Sequence, residues 1–153
     1  MLQEMTEDMA EILNGSLDGW NRAMGLRFVR ATADEVVAEL EVGPSHHQPY
    51  GIVHGGVYTG VIESVTSVGA GIYARQYGQV VVGLENNTSF LKAVREGTLR
   101  MTARPLSRGR TTQVWEATVT DSAGRTVATG RVRLLSIEPA KGIAGAKIDL
   151  KIG

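Results

Sequence analysis

The chain has 153 residues, 42% of them hydrophobic and 21% charged, and its 16 Lys+Arg balance 16 Asp+Glu. That length sets one domain with room for a real core, and zero net charge argues against nucleic acid or an anionic membrane surface as the main partner. With no cysteine in the chain, disulfides, thiolate metal sites and cysteine nucleophiles are excluded.

Residues 6–14 predict a short helix. Thr6 is its N-cap candidate, Met9, Ile12 and Leu13 form one apolar side, and Asn14-Gly15 is the stop. A second helical turn is expected from Leu17 to Met24, ending at Gly25. Leu26 and Phe28, alternating with Arg27, Val29 and Arg30, predict a strand, and Thr32-Ala-Asp34 a turn. Val36, Ala38, Leu40 and Val42 then alternate with Glu35, Val37, Glu39 and Glu41, the period of a half-buried strand that Pro44 stops. Residues 44–53 carry two prolines and no periodicity, so they read as a loop.

From Gly51 to Ala74 only Glu63 carries a full charge. Val57, Val61, Val65 and Val68, with Tyr58, Ile62 and Ile72, recur at helical spacing, and the remaining faces hold Gly, Ala, Ser and Thr. A helix this apolar all round is normally buried, and burying a lone carboxylate is costly without compensating partners. This helix is expected to run to about Tyr73–Arg75. Four strands should follow: Val80 to Leu91, Leu99 to a stop at Pro105, Val114 to Thr120, and Thr126 to Ile137, with hairpin chemistry at Asp121-Ser-Ala-Gly124. Residues 138–153 read as a tail with a short strand at Lys147–Ile152.

Strands in runs with one segregated helix give an α+β class with an antiparallel sheet of five to six strands wrapped around the helix. The helix face turned away from the sheet would still need a partner, so at least a dimer is expected. The divisions are 1–24, an N-terminal helical segment, 25–137, the domain, and 138–153, the tail. No membrane span is expected, because the low-charge run holds too many polar and small residues and a central Glu. The acidic N-terminal residues lack a basic-then-apolar signal pattern, which makes the cytoplasm the expected location.

Gln48-Pro49-Tyr50-Gly51, then His54-Gly55-Gly56, then Glu63 and Ser67, resembles the hotdog-fold acyl-CoA thioesterases. The branch is the one holding 4-hydroxybenzoyl-CoA, phenylacetyl-CoA-pathway and 1,4-dihydroxy-2-naphthoyl-CoA thioesterases. Val81-Val-Gly-Leu-Glu-Asn-Asn87, Arg95-Glu-Gly97 and Gln113-Val-Trp115 are similar as well, so the resemblance covers roughly residues 24–137. It implies hydrolysis of an acyl-CoA, with an aromatic or medium-sized acyl group, by a homo-oligomer that is a dimer at least and a tetramer of paired dimers in full. It implies no cofactor beyond the coenzyme A of the substrate and no metal. A hotdog protein that binds an acyl-thioester without hydrolysing it is the alternative, and the presence of Glu63 favours the enzyme.

In that frame Glu63 is general base or nucleophile, and the Gly55 N–H, at a helix N-terminus, polarises the thioester carbonyl. Gln48 and His54 are neutral donors beside that carbonyl. Ser67, one helical turn after Glu63, either orients the carboxylate or holds water, or else bonds back to the helix. Candidate substrate contacts are Asn87 and Ser89 in the polar run 86–89 for the pantetheine arm. Lys92 and Arg108, with Arg95 and Arg110, are candidates for the phosphates, and Tyr58 and Phe90, with Tyr50, for the acyl group. His54 and Glu63 stand about 13 Å apart along one helix, so these groups can meet only if two subunits pair their helices antiparallel.

Overall fold

The structure, a computed structural model, describes residues 7–148. Two short helices, α1 (Ala10–Gly15) and α2 (Gly19–Met24), precede strands β1 (Arg27–Ala31) and β2 (Val36–Glu41). The long helix α3 (Gly55–Arg75) follows, and then β3 (Val80–Phe90), β4 (Thr98–Arg108), β5 (Thr112–Thr120) and β6 (Thr126–Ile137). All six strands join one antiparallel sheet in the order β1-β2-β4-β5-β6-β3. The sheet closes around α3, which packs against β2 to β6. This is the α+β hotdog arrangement expected from the sequence, with six strands.

The core lies between α3 and the inner face of the sheet. Val57, Val61, Ile62, Val65 and Ala70 of α3 meet Leu40, Leu99, Met101, Trp115, Val119 and Leu134 from the strands. Trp115 is fully buried, and its ring occupies the place where a side chain at Gly69 would stand. Its indole N–H donates to Gln113 Oε1 at 2.9 Å, and Gln113 Nε2 donates to the Ala70 carbonyl at 3.0 Å. A buried polar pair is thereby satisfied, and it fixes how α3 lies on β5.

Several boundaries differ from those expected. Thr6, the N-cap candidate, lies outside the described residues. Within them Asp8 Oδ1 accepts from the Ala10 N–H at 3.0 Å and from the Ala31 N–H at 2.9 Å. Asn14 exchanges two hydrogen bonds with the Phe28 backbone, each 2.8 Å. The free edge of β1 is thus covered by α1, and Met9 and Ala10 join the core. β4 does not stop at Pro105 but continues to Arg108. Its pairing with β2 ends at Ala103, and a register shift follows Pro105, so the proline stands on a stretch bonded only to β5. In the tail, Pro139–Lys141 forms a single 3-10 turn and Ile143 bridges Ala146. Lys147 and Ile148 are outside any strand, and the rest of the expected tail strand lies outside the described residues. Among the described residues no helix is long and apolar enough to cross a membrane.

Candidate active site

The loop that leads into α3 is fastened at several points. His46, buried, accepts from the Gly43 N–H on Nδ1 and donates from Nε2 to the Met24 carbonyl, both at 2.8 Å. His47 Nε2 donates to the Arg95 carbonyl at 2.7 Å. Arg95 returns two bonds from Nη1, to Tyr50 O at 2.9 Å and Gly51 O at 3.2 Å. Gly51 has φ of 73°, a left-handed turn that glycine adopts without strain. Gln48 Oε1 accepts from the Tyr50 N–H inside this turn, which leaves its amide NH2 without a partner among the described residues.

At the start of α3, His54 is the N-cap. Its Nδ1 accepts from the Gly56 N–H at 2.8 Å, so the ring hydrogen of the neutral form sits on Nε2, facing out. His54 therefore has a structural task and a free donor together. The Gly55 N–H has no partner among the described residues, as the first turn of a helix leaves it. The Phe90 ring lies on Gly55, and a Cβ there would stand 2.7 Å from Phe90 Cε2. The close-packing role of Gly55 and the open N–H are both present.

Eight residues on, about 12 Å along the axis, Glu63 is half-buried. Asn86 Nδ2 donates to Glu63 Oε2 at 2.9 Å and to the Thr59 carbonyl at 3.1 Å. Ser67 Oγ stands 3.5 Å from Glu63 Oε1 as a donor. Thr88 Oγ1 donates to Asn86 Oδ1 at 2.7 Å and orients that amide. Oε1 also fills the space above Gly83, where any side chain would overlap it. The carboxylate is thus not alone in an apolar wall, because β3 supplies it with polar partners.

Asn86, expected with the polar run 86–89 along the pantetheine arm, instead meets Glu63, and Gly83 beneath that carboxylate was not among the expected site residues. They stand three apart and would face opposite ways in a regular strand. A register shift between Gly83 and Glu85 restores both to the inner face. The same shift moves Asn87 and Ser89 to the outer face, where they line a cleft of about 600 Å³ with Glu85, Glu116, Arg131 and Arg133. They are away from Glu63, and the inward pair of the polar run is Asn86 and Thr88.

The other expected contacts divide. Phe90 is exposed and adjoins Gly55. Tyr58 is 2% exposed, packs 6.0 Å from the Phe90 ring centre, and belongs to the core. Its hydroxyl has no hydrogen-bond partner among the described residues, and burial, followed by the Asp121 charge, pushes its pKa up to about 12. Arg108 is engaged elsewhere: Nη1 donates to Ala33 O at 2.8 Å and to Asp34 Oδ1 at 2.7 Å, and its guanidinium covers the Tyr73 ring at the far end of α3. Arg95 is spent on the loop. Lys92 and Arg110 are exposed.

The sequence model of the thioesterase superfamily matches residues 50–128. The Mycobacterium tuberculosis protein Rv1847, provisionally named an esterase, is 43% identical over 117 residues, covering 75% of this chain and 84% of that protein. The proofreading thioesterase EntH of Cronobacter turicensis is 36% identical over 109 residues, 71% of this chain and 79% of that protein. Among solved structures, AziG of S. sahachiroi superposes with a TM-score of 0.77 at 40% identity, over 80% of this chain and 98% of that one. With the fold and these relatives in agreement, the chain belongs to the thioesterase superfamily of hotdog proteins.

Proposed function

We propose that this protein hydrolyses an acyl-CoA thioester, with an aromatic or medium-sized acyl group, to the free acid and coenzyme A. The observation that carries the reading is the setting of Glu63, the one charged side chain between Gly51 and Ala74, held by Asn86 on one oxygen and Ser67 beside the other. As general base its carboxylate takes a proton from water while the water oxygen adds to the thioester carbonyl carbon. The C–S bond then breaks and the proton passes to the departing thiolate. As nucleophile a carboxylate oxygen adds instead, expels the thiolate and forms a mixed anhydride, which water cleaves to regenerate Glu63. On either route the carbonyl oxygen gains negative charge, and the Gly55 N–H at the positive end of α3 stabilises it. Gln48 NH2 and His54 Nε2–H are further donors to the same oxygen. The reaction consumes only water, so no cofactor is assigned.

Gly55 and Glu63 of one chain are too far apart for one carbonyl, so we assign the site to two copies with antiparallel α3 helices. Gln48, His54 and Gly55 of one copy then meet Glu63 and Ser67 of the other. The edge of β3 favours this pairing. It is eleven residues long, paired among the described residues with β6 alone, and carries exposed Leu84 and Phe90, a surface that recruits another strand. A tetramer made of two such dimers is the full assembly we assign. Lys92, two residues beyond Phe90, is the basic side chain we assign to the coenzyme A phosphates.

The test is thiol release from a series of acyl-CoAs. The wild type should turn over aryl and medium-chain thioesters. Glu63→Gln should lower kcat by about 10²–10⁴-fold while the substrate still binds. An unchanged kcat in that variant overturns the assignment.

A further inference from the structure

The second cleft, about 410 Å³, opens beside Glu63 on the side away from β3 and is lined by Asp18, Trp20, Asn21, Gly60, Glu63 and Ser64. Three of these come from α2 or its cap, and three from consecutive turns of α3. The missing side chain at Gly60 is what lets α2 approach, because the Trp20 benzo edge occupies the space a Cβ there would take. Asn21 Oδ1 accepts from Ser64 Oγ at 2.6 Å and ties the two helices together. The far end of α2 is fastened too: Gly25 closes it in the left-handed conformation, and His46 donates to the Met24 carbonyl. Yet the indole is 42% exposed, and its N–H has no partner among the described residues. A fixed, half-open aromatic face thus stands one helical turn from the reactive carboxylate.

We propose that this cleft is the acyl subsite, with Trp20 as its stacking wall, and that it takes a flat aryl acyl group. The inference rests on the thioesterase reading of Glu63 and adds the place and shape of the acyl group. A thioester bound with its carbonyl carbon at Glu63 and its acyl end in this cleft lies beside Gly60 and Ser64. There a planar ring can lie against the indole, in the offset or edge geometry that aromatic pairs prefer. Ser64 and Asn21 at the rim can serve polar substituents on the ring. The N-terminal segment then acts as a specificity element laid over the catalytic helix.

The experiment has two arms. In the first, kcat/KM for phenylacetyl-CoA and for acetyl-CoA is measured in wild type, Trp20→Ala and Trp20→Phe. Trp20→Ala should lower the aryl-to-acetyl ratio about tenfold, and Trp20→Phe should restore most of it. A ratio unchanged in Trp20→Ala, with both substrates affected equally, overturns the proposal. In the second arm the protein is labelled with 5-fluorotryptophan, which gives two fluorine signals from Trp20 and Trp115, assigned with Trp20→Phe. The probe is the non-hydrolysable phenacyl thioether of coenzyme A. The Trp20 signal should shift on titration while that of buried Trp115 stays. A Trp20 signal that ignores the probe but moves on dilution would assign the residue to the contact between copies and overturn the subsite. This arm reads binding alone, so it tests Trp20 even where no thioester is turned over, and a wild type inactive on every acyl-CoA counts against the enzyme assignment separately.

Discussion

A methyl group added at Gly83 would land on Glu63 Oε1, while the Gly83 backbone lies outside the left-handed region and accepts alanine. Gly83→Ala therefore displaces the carboxylate without touching its chemistry. Misplacing a reacting group by about 1 Å costs about 10²-fold in rate, so kcat for thiol release should fall by one to two orders of magnitude with little change in the thermal midpoint. An unaltered kcat would mean that the position of Glu63 is not under this constraint. Asn86 and Ser67 hold the same group by hydrogen bonds, and Thr88 holds Asn86. That Ser67 stands beside Glu63 was legible in the chain, because one helix carries both at fixed spacing. That Gly83 and Asn86 both face Glu63 was not, because a strand of regular period would have turned one of them outward.

At the level of elements, α3 and the six strands followed from periodicity, and their ends agree with the chain to within a few residues in most cases. The bulge in β3 has one local sign, a glycine inside a strand at Gly83, but that sign does not tell a bulge from a close approach. It moved Asn87 and Ser89 to the outer face. The passage of β4 through Pro105 was hidden for a related reason: a proline's fate in a strand depends on whether its outer edge is paired, which is a property of the sheet. Contacts between distant segments, such as Trp20 on Gly60 or Arg108 on Asp34, have no local pattern at all. The docking of α3 on β5 is one such contact and can be tested alone. Gly69→Ala puts a methyl group into the Trp115 ring, with Val36 also 3.1 Å away. Overpacking of this kind costs about 1–3 kcal/mol, to be read as a lower denaturant midpoint. A midpoint equal to the wild type would show that the ring and helix part freely, contrary to tight packing at this contact.

For the whole molecule, the two outer strands of the sheet are treated differently. β1 is covered by α1 through Asp8 and Asn14, whereas among the described residues no strand pairs with the outer edge of β3, beside the helix that carries Glu63. Because β3 also carries Gly83 and Asn86, an assembly formed on it would lie next to Glu63. On the proposed reaction, the distance from Gly55 to Glu63 requires two copies to share each site. The direct measurement mixes two inactive proteins. One is Glu63→Gln, and the other is the loop variant Gln48→Ala/His54→Ala. Their subunits are exchanged by mild denaturation and refolding, and thiol release is then assayed. Shared sites predict recovery to about a quarter of wild-type activity, because mixed dimers carry one intact site each. Activity in the mixture no higher than the average of the two parents would contradict a site built from two copies.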